Sequence, residues 1–401
     1  MDIQKLIQIR KQKGYGIANK IKIVEQNGIW FVPSQSRNKL HKVILGLNRS
    51  TCTCEDFTER RLRCKHIFAV EISISKKLNK RNSSTIITKE LNYDWANYTK
   101  AQTEEGRIFK ELLKDLVANV SEPIKEGAGR PRVPFKVGLF CAIDKVYSMQ
   151  SSRRAYSRYK DAENNAQISK APNYNVINIL LNNKDLTPIL KKLLEITSIP
   201  LKQIETKFAV DSTGFRTTRF SEYCVERHST KREHSWIKCH AICGTTTNII
   251  TSVEITDEFV SDSPLLISLV ESTAKLGFKI DEVSADKGYS SANNLERLGE
   301  IGIVGFIPFK KNTRIPEGGN MWSRMYGLFL YHQDKFLQHY HLRSNIETTF
   351  FAVKTKFGDM LKNKNFVSQS NELLCKLIAY NITVLISAMY ELKIEPKWIL
   401  S

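Results

Sequence analysis

Two short ligand pairs stand close together near the N-terminus, Cys52-Thr-Cys54 and Cys64-Lys-His66. Residues two apart in an extended chain project to the same side, so each pair can grip one ion. Three thiolates and an imidazole make a closed tetrahedral set for structural zinc. Closing the loop between the pairs also stabilises a module too small to rest on its core alone. That loop carries Arg60, Arg61 and Arg63, with Lys65 beyond, giving a basic rim. A second set of candidates is acidic. Asp211 closes the apolar run Lys207-Phe-Ala-Val, and Asp286 closes Ile280-Asp-Glu-Val-Ser-Ala. Glu347 lies in Tyr340-His-Leu-Arg343-Ser-Asn-Ile-Glu347, with Lys354 further on. On one continuous helix, Tyr340, Arg343, Glu347 and Lys354 share an arc of about 60° along a line of about 21 Å. Leu342, Ile346, Phe350, Val353 and Phe357 fill the adjacent apolar arc. The polar stripe therefore borders a buried face, which sets Glu347 at the sheet edge beside the two Asp. Taken alone, the stripe equally describes a solvated face with an Arg343–Glu347 pair.

His228, His234, Cys239, His240 and Cys243 form a looser group. Cys239 and Cys243 fall on the apolar face of an alternating strand, where a free Cys behaves as a small hydrophobe. They are read as core rather than as a second metal site.

The positioning elements follow from pattern. The chain has 401 residues, enough for two or three domains, and 41% hydrophobic content gives it a core to bury. Lys and Arg number 61 against 41 acids, a surplus of +20 that attracts polyanions, nucleic acid first. Met1–Lys20 has no apolar core segment of the kind an export signal needs. The greasy stretch Leu373–Tyr390 is interrupted by Lys376, Asn381, Thr383 and Ser387, which suits a packed helix better than a membrane span. Unevenly placed Cys in such a chain argue for an intracellular protein without disulfides.

Residues 1–80 read as a small β-rich unit ending in a helix, and 81–94 as a linker within a polar, Ser-rich stretch. Residues 95–204 repeat apolar positions at three- and four-residue spacing, as helices do, with one break at Gly127–Pro134. From 205 to 370 the pattern changes to strands: Lys207–Asp211, Ser235–Cys243, Ile249–Thr256 and Ile280–Asp286. A helix over Ser291–Leu298, a strand over Ile303–Pro308 and the long motif helix complete a mixed α/β sheet. Residues 371–401 form a C-terminal helix.

Two resemblances rest on these residues. The C-x-C-x9-C-x-H arrangement resembles the SWIM zinc finger, a module that binds DNA or a protein partner. Phe208-Ala-Val-Asp211-Ser-Thr-Gly-Phe215, Ser284-Ala-Asp286-Lys-Gly-Tyr289 and the spacing Y-x2-R-x3-E-x6-K together resemble the DDE transposases of insertion sequences, specifically the YREK-motif group. The similarity runs from about Tyr93 to Met389 and takes in Gly129-Arg-Pro-Arg132 and Lys145-Val-Tyr-Ser148 upstream. This chain departs from many relatives in its fused zinc finger. It also has only a short stretch between Pro308 and Tyr340, where some relatives insert β structure.

The resemblance implies a ribonuclease-H-like catalytic core and two Mg²⁺ or Mn²⁺ ions per active site. Asp211 would bridge both ions, with Asp286 and Glu347 holding one each. Such ions activate the nucleophilic oxygen and stabilise the leaving one in an in-line displacement at phosphorus, and hard carboxylates suit them. It further implies that Arg343 and Lys354 contact phosphates flanking the scissile bond and that Tyr340 supports the DNA strand end. Trp322, placed in a loop, is a stacking platform or a packing residue. Arg130, Arg132, Arg153 and Arg154 in the helical block, with Lys310 and Lys311 after the fifth strand, are read as DNA contacts, and Gly129-Arg-Pro as a minor-groove hook. The implied protein is a prokaryotic, cytoplasmic, nucleoid-associated transposase that acts on transposon ends and target DNA as a homodimer. The alternatives are a ribonuclease-H-like nuclease or resolvase, and a domesticated or inactive DNA-binding protein on the same scaffold.

Overall fold

Between Trp236 and Gly244 the sequence alternates, yet every residue from Cys239 onward is buried. The strand is covered on both faces, and each face feeds a different core. The computed structural model describes residues 3–20, 23–26, 29–34, 39–45, 50–60, 62–73, 94–122, 132–217, 236–310, 313 and 320–398. They fall into two units, Met1–Tyr93 and Asp94–Ser401. The expected linker as far as residue 93, the Gly127–Pro131 part of the helical break, Arg130, Lys311, His228 and His234 lie outside the described residues.

In the first unit, helix α1 (Ile3–Lys20) precedes a four-stranded antiparallel sheet. Its strands are β1 (Val24–Gln26), β2 (Ile29–Pro33), β3 (Leu40–Ile44) and β4 (Thr51–Cys52), in that order. Helix α2 (Glu55–Arg60) and helix α3 (residues 65–73) follow. Ile17, Trp30, Val32, Val43, Phe57, Ile67 and Val70 form the core. Helix α1 was not expected from the sequence. Gly14 shows why it fits: a Cβ there would lie 2.7 Å from Phe68 Cβ and 2.9 Å from the Lys65 carbonyl. Only glycine lets α1 approach α3 so closely.

The second unit opens with helices α4 (Trp95–Ala118), α5 (Phe135–Tyr147), α6 (Ala155–Asn164), α7 (Tyr174–Leu181) and α8 (Leu186–Ser198), as the periodicity predicts. The sheet contains β5 (Lys207–Arg216), β6 (Trp236–Gly244), β7 (Ile250–Thr256), β8 (Glu282–Ala285) and β9 (Val304–Phe306). Its order is β7-β6-β5-β8-β9, antiparallel from β7 to β5 and parallel from β5 to β9. Helices α9 (Leu265–Lys275) and α10 (Ala292–Glu300) alternate with β7, β8 and β9. Next come α11 (Met321–Tyr331) and α12 (Gln333–Tyr340), a 3-10 turn over His341–Arg343, then α13 (Ser344–Phe357) and α14 (Phe366–Glu391). A mixed sheet with helices on both faces is what the ribonuclease-H-like expectation requires at this level.

Alternation along the strands sorts side chains between the faces. Phe208, Val210, Ile242, Val283 and Ala285 meet Leu266, Leu269, Val270, Leu295 and Leu298 of α9 and α10. Ala209, Phe215, Ile237, Cys239, Ala241 and Cys243 meet Ile346, Phe350 and Val353 of α13. This second core also takes in Phe109, Leu113, Leu190 and Leu194 of the helical block and Leu374, Ile378 and Ile382 of α14. The segments that sequence divides into 95–204, 205–370 and 371–401 thus share one core. Helix α14 is long and apolar enough to cross a membrane by length and composition, but most of it is buried inside this unit. Its polar interruptions have partners. Asn381 exchanges hydrogen bonds with both backbone groups of Ile250, and Lys376 donates to the Gly358 and Met360 carbonyls at 2.8 and 2.9 Å.

Candidate active site and metal centre

Parallel pairing of β5 with β8 aligns Val210 with Ala285 on the last rung they share. Asp211 and Asp286 are the next residue on each strand. Because Val210 and Ala285 both point to the α9 and α10 face, alternation turns both acids to the α13 face. Neighbouring strands are about 4.8 Å apart, which sets the two backbones side by side. The expectation that Asp211 ends a strand is corrected here. Strand β5 continues to Arg216, its second half pairing with β6, and Asp211 marks where the β8 ladder stops. Asp286 does follow the last residue of its strand, and its carboxylate accepts from the Lys287 N–H at 2.5 Å.

Helix α13 lies along the same face of β5. Asp211, Thr213 and Phe215 alternate onto that face, and the 3-10 turn and the helix meet them in order. Arg343 Nη1 donates to Asp211 Oδ2 at 2.7 Å, and its Nη2 donates to Glu347 Oε1 at 2.6 Å. Lys354 Nζ donates to Thr213 Oγ1 at 2.7 Å and sits 5.2 Å from the Phe215 ring centre. One guanidinium therefore links two of the three acids, while Glu347 stays about half exposed at 54%. Burial raises the Asp211 pKa, with the charges of Asp286 and Glu347 adding to the rise. The Ser212 N–H and Arg343 oppose it. Burial likewise lowers the Lys354 pKa.

The expected single helix from Tyr340 to Lys356 is interrupted. Tyr340 closes α12, and the 3-10 turn separates it from α13. Its ring stacks toward Phe336 at 6.3 Å, and Arg343 Cζ lies 5.9 Å from it. The end of α12 is pinned to β8 by contacts that sequence reasoning missed. His339 Nδ1 lies 2.6 Å from Glu282 Oε2, and Ser284 Oγ donates to the His339 carbonyl at 3.1 Å. Trp322 lies in helix α11 rather than a loop, edge-on to Phe309 at 4.7 Å.

The Cys and His of the first unit converge much more tightly. Ligand atoms of Cys52, Cys54, Cys64 and His66 all lie within 4.8 Å of one another, and all four residues are buried. His66 Nδ1 is 3.9 Å from Cys52 Sγ and 4.0 Å from Cys64 Sγ. A zinc tetrahedron with ordinary bond lengths has an S···N edge of about 3.6 Å, so the set fits zinc. Bonding to the Cys52 and Cys64 thiols pushes the Cys54 thiol far down, while bonding to Cys54 pushes the Cys52 thiol far up.

Residues 41–75 match the family model of the SWIM zinc finger, and residues 202–382 match that of the transposase DDE domain. The chain carries a transposase DDE domain behind a SWIM zinc finger. No solved structure matches the chain. The SWIM finger with its Cys/His cluster implies zinc, and the DDE domain implies divalent metal use and a DNA partner. Three hard carboxylates, two of which raise the Asp211 pKa by their charge, fit divalent cations. They are more open than the zinc set: among the described residues, only the Cys/His cluster gathers its ligand atoms within 4.8 Å.

Of the remaining candidates around the DDE domain, Arg132, Arg153, Arg154 and Lys310 are exposed, and Arg153 Cζ lies 5.9 Å from the Tyr174 ring. Cys239 and Cys243 are fully buried in the core between β6 and α13, as the alternation predicts. His240 is buried too, with Nε2 3.0 Å from Thr256 Oγ1. Thr213 and Phe215, the partners of Lys354, were missed. Their place two and four residues after Asp211 on a strand was the signal that could have found them.

Proposed function

We propose that this protein is a YREK-type transposase that hydrolyses the phosphodiester at transposon ends and joins the freed 3′-hydroxyl to target DNA. The observation that supports this most is the placement of Asp211 and Asp286 just past the rung shared by adjacent parallel strands, on the face where Arg343, at the start of α13, grips Asp211 and Glu347. Asp211, Asp286 and Glu347 would hold Mg²⁺ or Mn²⁺, which supplies an activated nucleophilic oxygen and a stabilised leaving oxygen.

The chain's own residues prepare the site. Burial and like charge leave Asp211 avid for positive charge, and Arg343 satisfies part of that demand while its other nitrogen holds Glu347 in reach. As DNA enters, a guanidinium released from either acid can turn its fork to a phosphate. Lys354, half-buried over Phe215, offers a fixed point charge further along the helix. Tyr340, half-buried between Phe336 and Arg343 just before the 3-10 turn, would support the strand end. Two ends must be brought together, so the working form is a homodimer on DNA, in a prokaryotic nucleoid.

The test uses the purified protein, its end sequence and Mn²⁺ or Mg²⁺. Wild type should give nicks with 3′-hydroxyl termini. Asp286→Ala should reduce nicking by at least about a thousandfold, equivalent to about 4 kcal/mol, while end binding stays close to wild type. Normal cutting by that variant would reject the acid assignment.

A further inference from the structure

A cleft of 530 Å³ opens between the C-terminal end of α5, helix α7 and the segment leading into α14. Lys145, Lys362 and Lys364 line it together with Ser and Asn side chains, and no carboxylate does. Glu372, ten residues after Lys362, is buried and already engaged. It accepts from the Lys362 and Asn363 N–H groups and from the Asn363 amide, at 2.9–3.0 Å. Glu372 thus shapes the loop and leaves the cleft wall cationic. Among the described residues none of the three lysines forms an ion pair. Lys145 is buried at 8% exposure, and its ammonium makes one hydrogen bond, to Asn178 Oδ1 at 3.3 Å. An ammonium has three donors, so more are left to offer. A buried ammonium with a single long hydrogen bond is costly, and an anion in the cleft reduces that cost.

The walls are braced before any ligand arrives. Lys362 Nζ donates across to the Met149 carbonyl at 2.5 Å, and Asn365 Nδ2 donates to Asn182 Oδ1 at 2.6 Å. The volume lies in the range of nucleotide-sized ligands rather than a lone ion. Ile179, 72% exposed on the rim, gives a sugar an apolar surface to rest on. Helix α13, which carries Glu347, leads through Phe357 and Gly358 into the segment that bears Lys362.

We propose that this cleft binds the phosphodiester backbone of DNA outside the acidic site. The choice of DNA as the anion rests on the transposase reading. The anion site itself rests on the cleft.

The experiment measures binding of fluorescein-labelled duplexes, one carrying the element's end and one unrelated, to the full-length protein over a range of salt. Lys362→Gln/Lys364→Gln should weaken both duplexes about tenfold or more and lower the salt slope by about 2, as loss of two phosphate contacts requires. Lys275→Gln/Lys279→Gln, which removes the same charge from another exposed surface, should change neither. Thermal melting checks that both variants fold. Equal losses in the two variants, no loss in the first, or a loss confined to the end duplex would each overturn the proposal. Wild-type nicking in the same preparations reports on the transposase reading separately. Weakened binding supports the cleft whether or not nicks form, and unaltered binding beside normal nicking removes the cleft alone.

Discussion

In the N-terminal unit four metal ligands come from one short segment, Cys52 to His66, and close on each other in a buried nest. In the second unit three acids come from β5, from the end of β8 and from α13, and Arg343 links two of them. Both regions gather like charges, but with opposite endpoints. Thiolates and imidazole in a closed shell serve an ion that stays. On the proposed reading, carboxylates in an open shell, with Arg343 as a counter-charge, would leave positions for water and substrate. Closure in the first case is folding energy, and openness in the second is room for chemistry.

The largest expected effect would break the closed side of this contrast. Cys64→Ser, or a strong chelator, should remove one equivalent of zinc by elemental analysis. It should also unfold the N-terminal unit, since structural zinc contributes on the order of 10 kcal/mol to such modules. An unchanged metal content would dismiss the site.

A smaller effect probes the support beneath the open side. Lys376, which braces the loop after α13, has its pKa lowered to about 8 by burial. Between about 8 and the ordinary lysine value the unfolded chain holds a proton that the folded chain has released. Stability should therefore rise with pH across that window, by about 3 kcal/mol. Lys376→Met should flatten that rise in the difference between the two denaturation curves, and parallel curves would exclude the assignment.

The smallest effect sharpens the role of Arg343. Arg343→Ala leaves Asp211, Asp286 and Glu347 facing one another. Without divalent metal it should be about 1–2 kcal/mol less stable, because Glu347 is largely exposed and the pair is partly screened. Added Mg²⁺ or Mn²⁺ should then raise its melting temperature more than that of wild type. Equal metal responses would mean that arginine and metal do not compete for the same charge.

What the sequence disclosed depended on how local each feature was. The zinc ligands sit two apart in pairs, so their convergence needs only an extended chain and a turn. The Arg343–Glu347 pair is one helical turn, and the Asp286 position follows from where an apolar run stops. Asp211 was recognised as a candidate but misplaced, because the stop on its β8 side cannot be seen in a strand that runs on beside β6. The break at His341–Arg343 was hidden for a related reason. Three residues of tighter winding leave the apolar period nearly intact, so spacing alone reads the segment as one helix. Lys376 and Phe215 meet only through tertiary packing, with the ammonium 6.0 Å from the ring.

The rung shared by Val210 and Ala285 makes chain length as important as chain chemistry. Dropping one residue between Glu282 and Ala285 would keep every acidic letter of the protein. It would nonetheless swing Asp286 to the opposite side of the sheet. A copy of this gene could thus be silenced by three missing bases while its motif still reads as whole.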